Sequence, residues 1–135
     1  MKLVAIPLTD YEAWSRHWLP FLPSISRRTK ESVQTLFGQV SRGEVRLTLV
    51  WDDDTRQAVA LIGIRLHMRD HDLIAEICWT TGRDYKAWIG LLPELEKMLR
   101  LAGVVECRPI CRPGWAKILK ANGYKLTHMM MEKVL

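Results

Sequence analysis

The 135-residue chain carries a net charge of +5, with 48% hydrophobic and 26% charged residues. That length gives a single domain over residues 1–135 with a real core and excludes a second one; the composition is that of a globular protein, not a disordered or fibrous one. No apolar run approaches the roughly 20 residues of a membrane span, and the mild basic charge permits nucleic acid, an anionic cofactor or an acidic protein surface without demanding any of them. The apolar run after Lys2 is much too short for a signal peptide, so a chain that is not secreted is expected. Cys78, Cys107 and Cys111 form no CxxC pair, which indicates neither a disulfide framework nor a zinc site. Buried free thiols in a reducing cytoplasm are the expectation.

In chain order, Lys2–Ile6 reads as a first strand ended by Pro7. Thr9 or Asp10 then caps a helix with Tyr11, Trp14, Trp18, Leu19 and Leu22 on its apolar side, and Pro20 and Pro23 terminate it. A second helix is predicted over Thr29–Ser41, burying Val33, Leu36, Phe37 and Val40, with Gly43 after it. Val45–Trp51 and Gln57–Leu66 read as strands of a hairpin closed by the acidic loop DDDTR. A turn at Met68–Asp72 leads to Leu73–Trp79, an apolar run broken only by Glu76 and suited to a strand packed on both faces.

Thr80, Thr81 and Gly82 interrupt that strand with turn chemistry. From Asp84 the apolar residues Trp88, Leu91, Leu92, Leu95, Met98 and Leu99 follow the helical period, with Thr81 or Asp84 as cap and Gly103 as stop. Val104–Ile110 is a further strand, Pro113 and Gly114 open a helix over Trp115–Ala121, and Tyr124–Leu135 supplies one or two last strands. Adjacent strands pair antiparallel, and the strand–helix–strand crossover adds one parallel pair. The expected class is therefore mixed α/β (α+β): a mostly antiparallel central sheet with helices on both faces.

This element order resembles the GNAT acyltransferase superfamily. Arg83–Arg100, RDYKAWIGLLPELEKMLR, is similar to that family's acyl-CoA helix, RxxGxG followed by LL and LE pairs. Arg83 falls on the initial Arg, Leu91 and Leu92 on the LL pair, and Leu95 and Glu96 on the LE pair. Trp115–Lys125, WAKILKANGYK, looks like the last helix with its Gly-aromatic pair, here Gly123 and Tyr124. In the family, two loop glycines let the backbone approach the CoA pyrophosphate beside helix amides. Lys86 and Trp88 stand at those positions. Leu119 replaces the family's Tyr, which is the general acid towards the thiolate, and Arg112 replaces its Asn.

The resemblance implies a general base on the organising strand, and Glu76 is the candidate if the chain is active. Arg83, Lys86, Ala87 and Trp88 form the degenerate acyl-CoA loop. His67, His71, His17 and His128 read as solvated rather than as metal ligands, and no Ser or Cys has a base partner at motif spacing. Arg27, Arg28 and Lys30, together with Arg108, Arg112, Lys117 and Lys120, make two basic clusters; the second, on one short helix beside the expected cofactor edge, reads first as a solvated helix face and second as a phosphate-binding patch. Six tryptophans read first as core, with one or two half exposed where they would mark a protein interface.

Two functions follow. The favoured one is a GNAT-like pseudoenzyme, a non-catalytic structural or protein-interaction component with no cofactor, its cleft filled by Trp88. Such small domains resemble internal virion or morphogenesis proteins of tailed phages, which would place it in a virion or the cytoplasm with other protein chains as partners. The alternative is an acetyl-CoA-dependent N-acetyltransferase acting on an amine. A nucleic-acid role is a third expectation and would show steep salt dependence.

Overall fold

Three long runs of alternating side chains form the middle of a five-stranded sheet. In the computed structural model, which describes residues Met1–Leu135, β1 (Lys2–Ala5), β2 (Arg46–Asp52), β3 (Gln57–Arg69), β4 (Asp72–Gly82) and β5 (Val104–Pro109) lie side by side in chain order. The first four pair antiparallel, and β4 pairs β5 in parallel. Six helices accompany them: α1 (Ser15–Trp18), α2 (Leu22–Thr29), α3 (Val33–Ser41), α4 (Tyr85–Trp88), α5 (Leu92–Leu101) and α6 (Pro113–Ala121).

Alternation of side chains along each strand builds two separate apolar clusters. On one face Leu47, Leu49 and Leu61 meet Trp18, Leu22 and Leu36 from α1, α2 and α3. On the other, Val50, Ile62 and Ile77 meet Trp88, Leu95 and Leu99 from α4 and α5. Helices thus cover both faces of a mixed, mostly antiparallel sheet, as the sequence order implies.

Several local expectations are corrected, and proline explains most of them. Pro23 does not end a helix; it sits in the first turn of α2, where its missing N–H costs no bond. The continuous helix expected from Asp84 is three pieces: α4, a 3-10 turn at Ile89–Leu91, and α5 with Pro93 in its first turn. Pro93 lacks the N–H, and its ring crowds the carbonyl four residues back, so the helix cannot run through. Neither Thr81 nor Asp84 caps α4 with its side chain; Asp84 takes the left-handed conformation, φ 55° and ψ 42°. Thr80–Gly82 continue β4 opposite Ala60–Ile62, because the β-branched threonines suit a strand.

The second helix starts at Val33, not Thr29: Lys30 closes α2 at φ 64° and the Ser32 hydroxyl accepts the Thr35 N–H at 3.1 Å. Leu36 and Val40 are buried as expected, but Val33 and Phe37 stay 38% and 37% exposed. Residues Tyr124–Leu135 form no strand and are exposed apart from Tyr124. Met129, Met130 and Met131 are consecutive, so they offer no alternating face to bury. Cys111 is exposed, against the expectation of buried thiols.

Two features position the site. Between β3 and β4 the register slips, so that Gly63 faces Trp79, Ile64 faces Ile77, and Cys78 is the extra residue of a bulge. A side chain at Gly63 would put its Cβ 2.7 Å from the Trp79 ring, so only glycine lets the indole lie there. Next to the bulge, β5 leaves β4: pairing stops at Ile77 and Pro109, and the last bond runs from the Ile110 N–H to the Ile77 carbonyl at 2.9 Å. Pro109 has no N–H to continue the ladder, while β4 runs on to Gly82.

Candidate functional site

Where β4 and β5 part, a cavity of about 210 Å³ opens between them. Its walls come from the bulged part of β4, the end of β5 through Arg112, the α4–α5 segment, α6 and the end of α2. Most of the lining is apolar, including the indoles of Trp88 and Trp115. The cleft is therefore open rather than filled by Trp88 as expected; that indole stands on its wall beside Trp79 and Trp115.

The loop after β4 is held shut by its own bonds. The Arg83 N–H donates to the Val59 carbonyl at 3.1 Å, and the Arg83 carbonyl accepts the Trp88 indole N–H at 3.1 Å. The Arg83 guanidinium turns to Gln57 Oε1 at 3.3 Å, away from the cavity. The Ala87 N–H is taken by the Asp84 carbonyl at 2.8 Å. Lys86 is exposed and lies off the cavity wall. Trp88 is 6% exposed and packs with Leu95 and Leu99; its ring centroid is 6.1 Å from that of Trp115, against which Tyr85 sets its edge at 5.2 Å. Of the loop residues singled out in the sequence, only Trp88 reaches the cavity.

Glu76 does not line it either. It is half-buried on β4, in register with Arg65 on β3 and Arg108 on β5, and forms none of the protein's ion pairs. Beside it, Arg65 donates to Gln39 Oε1 at 3.0 Å, and Gln39 donates to Glu31 at 2.7 Å. Cys78 completes this polar strip; burial pushes its thiol up to about 11, with Arg65 opposing the shift. Leu119, which the sequence resemblance sets at the family's general-acid position, is on the cavity wall and has no proton to give. Tyr124 cannot replace it: its hydroxyl donates to Glu96 Oε2 at 2.8 Å, and burial, then the neighbouring Cys107, raise its pKa.

Two basic residues already named in the sequence are brought to one wall only in three dimensions. Arg28 from α2 and Arg112 from the start of α6 both line the cavity, one from each basic cluster. Both are exposed as residues, and neither takes part in any ion pair. Of the other basic residues in the two clusters, Lys30 pairs with Glu132 at 3.3 Å and Arg108 with Glu106 at 2.8 Å. His17, expected in solvent, is half-buried between Trp14 and Trp51, at 5.5 and 5.0 Å. Burial, then Arg16, lowers its pKa.

No protein-family model and no curated protein matches the sequence. Solved structures do. A probable acetyltransferase superposes with a TM-score of 0.70 at 12% identity, over 100% of this chain and 97% of the other. An acetyltransferase of Trypanosoma brucei gives 0.66 at 12% identity, over 99% of each chain. The glucosamine-6-phosphate N-acetyltransferase of Arabidopsis thaliana gives 0.64 at 11% identity, over 98% of this chain and 97% of that one. The chain has the GNAT acetyltransferase fold. At such identities the likeness is one of fold, and the GNAT frame locates the cleft without assigning its chemistry. No helix of the chain is long and apolar enough to cross a membrane.

Proposed function

We propose that this GNAT-fold domain binds a ligand or partner without transferring acyl groups, acting as a structural or protein-interaction component. One observation carries the reading: the Trp88 indole, buried and bonded to the Arg83 carbonyl, fills the loop where a bare backbone would have to face a pyrophosphate. With the Ala87 amide already bonded and Arg83 turned to Gln57, the loop does not fit acetyl-CoA. Leu119 in the general-acid position supports the same reading. Exposed Leu126, Met129, Met130 and Met131 in the tail favour contact with other protein chains. A phage-type virion or morphogenesis protein is the setting that the sequence resemblance implies.

The test is calorimetric titration of acetyl-CoA and free CoA into the protein and into Trp88→Gly. The expected result is no heat with the unmodified protein and binding only in the glycine variant. Micromolar binding by the unmodified protein would overturn the reading.

A second reading, an acetyl-CoA-dependent N-acetyltransferase acting on an amine, is favoured by the open β4–β5 split and by solved neighbours named as acetyltransferases. Glu76 would be its base, and Glu76→Gln would then abolish amine acetylation without changing CoA affinity.

A further inference from the structure

Arg28 and Arg112 approach the cavity from sequence-distant elements, α2 and the turn into α6, and the wall they share contains no carboxylate. Guanidinium groups are usually matched by acids when they sit over an apolar surface; an unmatched pair beside a pocket is an arrangement suited to a bound anion. Burial, and after it the positive charge of Arg112, lower the Arg28 pKa, which agrees with two like charges on one cavity wall. Behind the arginines the chamber is apolar, with Ile25, Ile77, Leu92 and Leu119 on its wall. Polar anchors at one end and apolar walls elsewhere are the usual build of a small-molecule pocket.

We propose that the cavity binds a small amphiphile with one anionic head, a carboxylate or phosphate monoester, clasped by Arg28 and Arg112, its alkyl tail lying in the chamber. A guanidinium fork matches either head in bidentate fashion. At the roughly 30 Å³ that a water occupies in the liquid, about 210 Å³ accommodates a chain of medium length. The site shares its wall with Trp88 but not with Arg83 or Lys86, and goes beyond the non-catalytic reading: it requires neither the loss nor the presence of acyl transfer.

The experiment is calorimetric titration of octanoate, octyl phosphate and 1-octanol into the full chain and into Arg28→Gln, Arg112→Gln and Arg83→Gln. At least one anion is expected to bind about tenfold or more tighter than octanol, and the tighter of the two names the head group. Arg28→Gln and Arg112→Gln are expected to bring that anion down to the octanol level, while Arg83→Gln leaves it within about twofold. Unchanged thermal unfolding of the variants excludes a folding defect. Octanol binding as tightly as both anions, no binding of either anion, or equal loss in Arg83→Gln would each overturn the proposal. CoA added in a parallel arm separates the two readings. CoA binding together with arginine-dependent octanoate binding overturns only the non-catalytic reading, whereas silence from every amphiphile and from CoA overturns only this site.

Discussion

At the loop end of the cleft, Arg83 and Lys86 are exposed and absent from the cavity wall, and a buried indole takes up the space. At the α2–α6 end, Arg28 and Arg112 stand on the wall with no acid to match them. Both regions carry basic residues in sequence; what separates them is where local bonds point each side chain. Gln57 draws the Arg83 guanidinium away, and the Arg83 carbonyl anchors Trp88 inward. The charge available to a ligand therefore comes from Arg28 and Arg112, not from Arg83 or Lys86.

The comparison breaks most visibly if Trp88 is removed. Trp88→Ala deletes a buried indole that packs with Leu95 and Leu99 and leaves the Arg83 carbonyl without its donor. It is expected to cost about 3–5 kcal/mol in urea unfolding, and a loss below about 1 kcal/mol would mean that the loop does not depend on the indole.

The middle of the cleft gives a smaller, pH-dependent effect. Cys78 sits in the bulge with its thiol raised from 9.0 to about 11, chiefly by burial. A raised folded pKa favours the neutral thiol of the native state, so its stabilisation is complete below pH 9 and is lost as pH climbs towards 11. By linkage that loss amounts to roughly 2–3 kcal/mol at most. Comparing the pH dependence of unfolding for the unmodified protein and Cys78→Ala isolates it; identical slopes between pH 9 and 11 would show that the thiol is not held neutral.

The smallest effect sharpens the contrast between the ends. Lys86→Gln removes an exposed charge that lies off the cavity wall. It is expected to change stability by less than about 0.5 kcal/mol and to leave octanoate affinity unaltered, measured beside Arg112→Gln. A large drop in affinity would restore the loop as the anion-binding end.

The central hairpins were legible because the apolar, β-branched runs over Gln57–Leu66 and Leu73–Trp79 suit strands packed on both faces, and the DDDTR turn links its two neighbours in one step. The bulge at Cys78 was not, since it depends on Gly63 making room for Trp79 across the sheet. Helical periodicity found the buried face of α5 at Leu95 and Leu99, yet it ignored Pro93, whose effect is on the backbone rather than on the apolar stripe.

The candidate site divides in the same way. By itself the sequence determined a mixed sheet in GNAT order, and that residues 86, 88 and 119 are Lys, Trp and Leu rather than glycine or tyrosine, because these are properties of single residues and local periods. Only the tertiary structure decided that the Trp88 indole bonds to the Arg83 carbonyl, that Glu76 stays off the cavity, and that Arg28 and Arg112 share its wall. Those outcomes depend on which distant elements the parting of β4 and β5 brings together, and no local pattern carries that information.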